Sequence, residues 1–120
     1  QFLDKNLYEI IVIDNGSVDG SSKEINRFFK QMNPLNFSVC RISNEGLSNA
    51  RNVGYNKAKG DVVFYMDDDA FADEMCLELI LKSFMANDDI NVLGGSVGIL
   101  NKENKFANTT ATFDVHGLIT

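Results

Sequence analysis

The sequence predicts an α/β domain with a mostly parallel sheet flanked by helices. Short runs rich in β-branched and aromatic residues alternate with segments whose apolar residues recur at helical spacing. The runs are apolar almost throughout, which is typical of parallel strands covered on both faces. Turn-forming polar residues follow the first runs, as the loops of such a fold require. With 120 residues there is room for a single domain, expected to span residues 1–120.

The first strand is expected at Tyr8–Ile13, a short apolar run. Residues 14–22 form a cluster of turn formers, and the hydroxyl groups among them can cap a following helix. That helix should stop before Pro34, because the residue before a proline disfavours helical geometry. Its apolar face is formed by Ile25, Phe28, Phe29 and Met32.

The second strand is expected at Phe37–Ile42, followed by a loop at residues 44–46. Apolar and small residues then recur at roughly helical spacing from Leu47 to Ala58, which predicts a second helix. Gly60 follows as its expected C-terminal stop. The run Asp61–Met66 is the predicted third strand.

Beyond the third strand, the pattern predicts a helix, a strand and a hairpin. Asp73 can cap a helix that closes near Asn87. Ile90–Gly95 is the predicted fourth strand, and Val97–Leu100 is expected to pair with a segment that begins at Phe106.

The charge of the chain argues against a nucleic-acid partner. The net charge is −6 and the pI is near 4.6, whereas binding to phosphate backbones needs a patch or stripe of Lys and Arg. The acidity is local, because residues 61–89 contain nine acids and one Lys.

The two cysteines, Cys40 and Cys76, have no paired spacing, which predicts buried free thiols in a reducing compartment. We therefore expect a cytoplasmic location, and a location at the inner face of the membrane is an alternative. No apolar run is long enough to cross a bilayer and no leader is visible at the start, so no membrane span is expected in this segment.

Acidic side chains follow two of the predicted strands. Asp14 comes directly after the first strand, and Asp67, Asp68 and Asp69 come directly after the third. Parallel strands open their carboxyl ends at one edge of a sheet, so these loops should line one cleft. Neighbouring carboxylates repel one another unless a divalent cation lies between them. The pattern predicts a metal and phosphate site.

Several segments carry a resemblance to a known family. Tyr8–Gly20 resembles the strand and loop of family 2 glycosyltransferases, which have the GT-A (Rossmann-like) fold. Asn44–Gly54, followed by Ala58–Asp61 and by Phe64–Asp69, is similar to the central block of that family, in order and at its usual spacing. Each segment alone is weakly specific, but together, in register over about sixty residues, they make a specific match.

The resemblance implies a nucleotide-sugar donor, usually a UDP-sugar, and an inverting transferase of hexosyl type. It also implies Mg²⁺ or Mn²⁺ as cofactor and a saccharide or lipid-linked acceptor, as in polysaccharide biosynthesis. On this reading Asp14 hydrogen-bonds the uracil ring, while Ser17 and Asp19 lie near the nucleoside.

The remaining site residues implied by the resemblance concern the diphosphate and the metal. Arg51 lies where the family places a residue near the diphosphate. Asp67 and Asp69 match the outer acids of the Asp-x-Asp (DXD) motif, so Asp67 would face the ribose and Asp69 would bind the metal. Asp68 fills the variable middle position and is included with the substrate-binding residues.

The sequence departs from the family pattern in several places. Ala70 stands where many members have another acid, and Asn15 replaces a common Asp. The first strand of the family would precede Gln1, and its general base would follow Thr120. No catalytic base is assigned, and the chain is expected to be a donor-binding part that is truncated at both ends.

Two other classes of protein stay open at this point. A nucleotidyltransferase of similar fold would also use strand-end acids and Mg²⁺, but should have a Gly-rich, basic loop after its first strand. A non-catalytic, receiver-like metal-binding module could use the acid cluster formed by Asp67, Asp68 and Asp69. It would not explain the pattern of residues at Asn44–Gly54. Taken alone, Asp14 could be only a turn residue, and Arg51 a surface charge or a brace for the loop.

Overall fold

The computed structural model describes residues 3–32, 36–95, 99–100 and 106–107. The chain divides into two units, residues 1–77 and 78–120. A short 3-10 helix at Lys5–Leu7 precedes the first strand. The other elements, in chain order, are β1 (Ile10–Asn15), α1 (Ser21–Met32), β2 (Phe37–Ile42), α2 (Leu47–Lys57), α3 (Cys76–Ala86), β3 (Ile99–Leu100) and β4 (Phe106–Ala107).

Strands β1 and β2 form a parallel pair, in which Ile10 lies opposite Phe37 and Asn15 lies opposite Ile42. A parallel pair needs a crossover connection, which α1 supplies. The ring of Phe37 lies 6.2 Å from that of Phe28 and 5.5 Å from that of Phe29, measured between centroids. The apolar face of α1 therefore packs against the start of β2, and the α/β fold class is confirmed for this part of the chain.

Helices α1 and α2 lie on opposite faces of this strand pair. Val12 lines a surface hollow together with Ile25 of α1. The adjacent residue, Ile13, faces α2, because its Cγ1 is 3.6 Å from the position that a Cβ on Gly54 would occupy. Successive side chains of a strand point to opposite faces, so these two contacts assign one helix to each face. Asp14 therefore lies on the α1 face, together with Val12.

Both predicted boundaries of β2 and the predicted end of α1 are confirmed. The boundaries of β1 and the end of α2 differ from the prediction. Strand β1 begins two residues later than expected and continues through Asn15, so Asp14 lies within the strand. Helix α2 ends at Lys57 without a glycine cap, because the extended residue Ala58 donates its N–H to the carbonyls of Gly54 and Tyr55. The prediction that Gly60 stops this helix is wrong.

The predicted third strand at Asp61–Met66 is also wrong, because these residues form no strand. Phe64, Tyr65 and Met66 are 44%, 47% and 54% exposed. The apolar run has strand propensity, but a strand exists only where a neighbouring backbone offers a hydrogen-bonding partner. The acids at 67–69 therefore follow an exposed irregular segment and not a buried strand.

In the second unit, the predicted hairpin is confirmed and the fourth strand is wrong. Strands β3 and β4 pair antiparallel, with Ile99 opposite Ala107. Residues 90–95 form no strand, and Val92 is 55% exposed. The reason is again that a strand needs a pairing partner as well as propensity. Two parts of the predicted hairpin lie outside the described residues, namely its first two residues, Val97 and Gly98, and its loop at 101–105.

Helix α3 is confirmed close to its predicted bounds. Immediately before it, the Oδ1 of Asp73 accepts a hydrogen bond of 2.9 Å from the N–H of Met75. On the helix surface, Lys82 and Glu78 form an ion pair of 2.6 Å at i,i+4 spacing. Within the part of the chain that the structure describes, no helix is both long and apolar enough to cross a membrane. Both cysteines are free thiols, as predicted, but each is only partly buried.

Candidate functional site

The loops that follow β1 and β2 lie against each other at the carboxyl edge of the strand pair. The side-chain amide of Asn15 donates to the Oδ1 of Asn44 at 3.5 Å, and its Oδ1 accepts from the N–H of Glu45 at 3.4 Å. Gly16 has a φ of +77°, and a Cβ there would lie 2.9 Å from the backbone nitrogen of Asn44. Only glycine fits this contact without strain, so Gly16 allows the two loops to lie this close together.

Asp14 is a buried carboxylate at this edge, with only 4% of its surface exposed. Its Oδ1 accepts a hydrogen bond of 2.8 Å from the N–H of Ser17. Its Oδ2 accepts a short hydrogen bond from the hydroxyl of Ser22, in the first turn of α1. The residue opposite it in β2 is Arg41, whose Nε lies 3.8 Å from the same Oδ2.

These donors hold Asp14 in its ionised form. The hydrogen bond from Ser22 and those from Ser17 lower the pKa of Asp14 from 3.8 to about 2, and the charge of Arg41 makes a smaller contribution in the same direction. At neutral pH the carboxylate is therefore an acceptor with no proton of its own to donate. Such a group can recognise an N–H donor on a ligand.

Arg41 is a site residue that the sequence reasoning missed. Its Nη1 donates to the Oγ of Ser22 and its Nη2 donates to the carbonyl of Ser17, each at 2.9 Å. The predicted strand bounds could not have identified it, because only the observed register sets Arg41 opposite Asp14.

Asp19 lies in the same loop and is held by the start of α1. Its Oδ1 accepts from the N–H of Ser21 at 3.0 Å and from the hydroxyl of Ser21 at 2.7 Å. These two bonds lower the pKa of Asp19. Asp19 lines an open hollow of about 610 Å³ together with Asp68, so the structure brings the first loop and the acid cluster to the same depression.

The acid cluster itself is exposed. Asp67 pairs with Arg51, whose Nη2 lies 3.4 Å from its Oδ1, and the two side chains are 67% and 47% exposed. The guanidinium carbon of Arg51 also lies 5.9 Å from the centroid of the Tyr65 ring. An ion pair this exposed contributes at most about 1 kcal/mol, so Arg51 can exchange its partner at little cost.

Six of the predicted site residues thus fall into three pairs, two joined by a contact and one by a shared hollow. Asp14 joins Ser17, Asp19 shares a hollow with Asp68, and Arg51 joins Asp67. Among the described residues, no side-chain hydrogen bond or ion pair joins Asp69 to another predicted site residue. Asp69 lies in the exposed turn that follows Asp67.

The acids do not form a closed metal cage. Among the described residues, no group of three or more His, Cys, Asp or Glu side chains could hold a metal ion. The exposed carboxylate of Asp69 nevertheless fits a hard divalent cation, since Mg²⁺ is usually held by one or two carboxylates with waters and substrate phosphates as its other ligands. The chemistry of the donors therefore suits a cation that arrives with a diphosphate.

The chain matches a known protein family along almost its whole length. Residues 1–117 match the sequence profile of the family described as Glycosyl transferase family 2. Minor teichoic acid biosynthesis protein GgaA of Bacillus subtilis is 35% identical over 91 residues, which are 73% of this chain and 20% of that protein. No solved structure matches the chain.

Two further relatives have similar identity. Glucosyl-dolichyl phosphate glucuronosyltransferase of Haloferax volcanii is 31% identical over 91 residues, which are 74% of this chain and 28% of that protein. Cholesterol galactosyltransferase of Borreliella burgdorferi is 34% identical over 83 residues, or 68% of this chain and 23% of that protein. The chain thus spans less than a third of the length of these curated relatives.

Proposed function

Because the chain belongs to glycosyl transferase family 2, we propose that it is the donor-binding part of an enzyme that transfers a sugar from a UDP-sugar to an acceptor, with inversion at the anomeric carbon. The observation that carries this proposal is the buried, ionised Asp14 at the edge where the loops after β1 and β2 meet. Ligands of α/β sheets bind at this edge.

The uracil base is the part of the donor that Asp14 suits. A carboxylate has about four acceptor positions, and the hydrogen bonds from Ser17 and Ser22 do not use all of those on Asp14. The imide N–H of uracil is a donor that can use a remaining position. Ser17 and Asp19 belong to the same loop, so we place them beside the nucleoside.

The diphosphate is assigned to Arg51 and the acid cluster. The guanidinium of Arg51 offers a fork of donors to phosphate oxygens, and its exposed pairing with Asp67 is weak enough to be exchanged. Asp67 would then face the ribose, with Asp68 beside the nucleotide. Asp69 would hold Mg²⁺ or Mn²⁺, which when bound offsets the negative charge that develops on the departing UDP.

The acceptor is proposed to be a saccharide or a lipid-linked molecule. The names of the relatives refer to teichoic acid, to a dolichyl phosphate and to cholesterol, which are acceptors or products of these kinds. Transfer with inversion needs a base to take the proton of the acceptor hydroxyl, and we assign that role to none of the residues described above. We place the reaction on the cytoplasmic side of the membrane.

Calorimetric titration of the full-length protein with UDP, with and without Mn²⁺, tests the proposal. We expect UDP to bind, and to bind more tightly with Mn²⁺, because the cation joins Asp69 to the diphosphate. UMP is the matched control ligand: it has the same nucleoside but lacks the diphosphate, so Mn²⁺ should strengthen its binding much less. A preference for nucleoside triphosphates would instead support a nucleotidyltransferase. Absence of binding to any nucleotide would support a receiver-like module.

A further inference from the structure

We propose that Arg41 is a positioning residue that sets the direction of the Asp14 carboxylate and thereby its ability to distinguish uracil from cytosine. This inference rests on the proposed function, in which Asp14 contacts the base. It starts from the place of Arg41 in the sheet. Arg41 lies opposite Asp14 in the parallel register, so both side chains project from the face of the sheet on which α1 lies.

One guanidinium contacts three groups of the segment 14–22. Its Nη1 donates to the Oγ of Ser22 and its Nη2 donates to the carbonyl of Ser17, each at 2.9 Å. Its Nε lies 3.8 Å from the Oδ2 of Asp14, beyond the reach of a hydrogen bond. Arg41 therefore binds the two residues that bind Asp14.

The direction of these bonds determines how Asp14 is held. A serine hydroxyl has a single O–H to donate, and the Oγ of Ser22 accepts from Arg41 while it donates to Asp14. Arg41 thus leaves the hydroxyl proton for the carboxylate. The carbonyl of Ser17 is fixed in the same way, and the N–H of that residue donates to the other carboxylate oxygen.

The geometry of Arg41 contributes more than its charge. Its side chain is 58% exposed, and its charge has the smallest influence among the interactions that lower the pKa of Asp14. A planar fork that reaches a hydroxyl and a carbonyl at the same time is a property of arginine that lysine lacks. Replacement by lysine should therefore preserve the charge and lose the positioning.

Base discrimination is the property that this positioning controls. Uracil presents an N–H at the ring position where cytosine presents an acceptor nitrogen. An ionised carboxylate attracts the first and repels the second. Only 2% of the Asp14 side chain is exposed, so the direction set by its donors decides which atom of a base can reach it.

The experiment measures the dissociation constants of UDP and CDP, with Mn²⁺, for the full-length protein and for the variants Arg41→Met and Arg41→Lys. We expect the wild type to prefer UDP. In the Met variant the ratio of UDP to CDP affinity should fall roughly tenfold, the size expected when a hydrogen bond to a charged group is misaligned. The Lys variant should resemble the Met variant. Arg27→Met is the matched control, because Arg27 is 65% exposed and pairs with Glu24 on α1.

A double variant separates positioning from general support of the loop. If Arg41 acts through Asp14, then adding Arg41→Met to Asp14→Asn should not lower the ratio of UDP to CDP affinity any further. Equal weakening of UDP and CDP by Arg41→Met would show a structural role only and would overturn the inference. If the Met variant melts below the assay temperature, the Lys variant, which retains the charge, decides the question.

The remaining outcomes separate this inference from the proposed function. A wild-type protein that binds UDP and CDP equally would overturn the inference and leave donor binding in place. A wild-type protein that binds no UDP in the presence of Mn²⁺ would overturn both.

Discussion

Asp14 and the acid cluster at 67–69 contain the same side chain in opposite surroundings. Asp14 is 4% exposed and accepts hydrogen bonds from Ser17 and Ser22, which keep it ionised and fixed before any ligand arrives. The three acids of the cluster are exposed, and Asp67 shares one weak ion pair with Arg51. Protein donors organise the first site, whereas in the proposed function a cation and a diphosphate would organise the second. A buried acceptor suits selection of a base, and an exposed cluster suits a charged ligand that binds and leaves.

The largest expected effect tests the exposed side of this comparison. Replacing Asp69 with Ala should lower Mn²⁺-dependent sugar transfer by the full-length enzyme on the order of 100-fold or more, because the cation loses its protein ligand. The melting temperature should stay unchanged, since Asp69 lies in an exposed turn. Transfer rates and thermal melts check the two statements. Asp88→Ala, at another exposed aspartate, is the control. Unchanged turnover in Asp69→Ala would contradict the proposed role of Asp69 as a metal ligand.

The second prediction tests the buried side. Asp14→Asn preserves shape and removes charge, so it should lower the melting temperature by several degrees at pH 7. The pKa of Asp14 is depressed from 3.8 to about 2 in the folded protein, so its stabilising contribution is present above pH 3.8 and is lost as the pH falls to about 2. The difference in melting temperature between wild type and variant should therefore shrink across this range.

Melting curves of both proteins from pH 7 down to pH 2 measure this difference. Asp88→Asn is the matched control, since this aspartate is exposed. A gap between wild type and Asp14→Asn that stays constant down to pH 2 would contradict the account of Asp14.

A glycine pair tests how tightly the loops around Asp14 are joined. Gly16→Ala should destabilise the protein by about 3 kcal/mol, because it combines a positive φ with a clash against the backbone of Asn44. Gly20 has a φ of +98°, but no atom lies within 4 Å of a Cβ added there. Gly20→Ala should therefore lower the free energy of unfolding by about 1 kcal/mol. Urea unfolding of both variants gives the comparison. Equal costs would mean that the contact with Asn44 does not constrain the loops.

The smallest effect belongs to the ion pair of the acid cluster. Arg51→Met should change the free energy of unfolding by no more than about 1 kcal/mol, because its pair with Asp67 is exposed. Lys82→Met breaks the i,i+4 pair with the partly buried Glu78 on the surface of α3; it serves as the control and should behave alike in urea unfolding. A loss several times larger in Arg51→Met alone would show that Arg51 braces the fold.

The sequence by itself determined the elements that local patterns encode. The predicted bounds of β2 are those observed, α1 stops before Pro34, and α2 begins at Leu47 as expected. The motif around Asp14 and the family resemblance could also be identified from the sequence, because both depend on residue types at fixed spacing. The bonds that make Asp14 an ionised acceptor were not read from the sequence.

Only the tertiary structure decided which strands exist and which side chains meet. Asp61–Met66 has the composition of a strand and forms none, since a strand depends on a partner backbone far away in the sequence. Arg41 enters the site because parallel pairing sets it opposite a residue 27 positions earlier, Asp14. Helices and turns follow from interactions between neighbours along the chain, whereas pairing, burial and a shared guanidinium depend on contacts that local spacing does not encode.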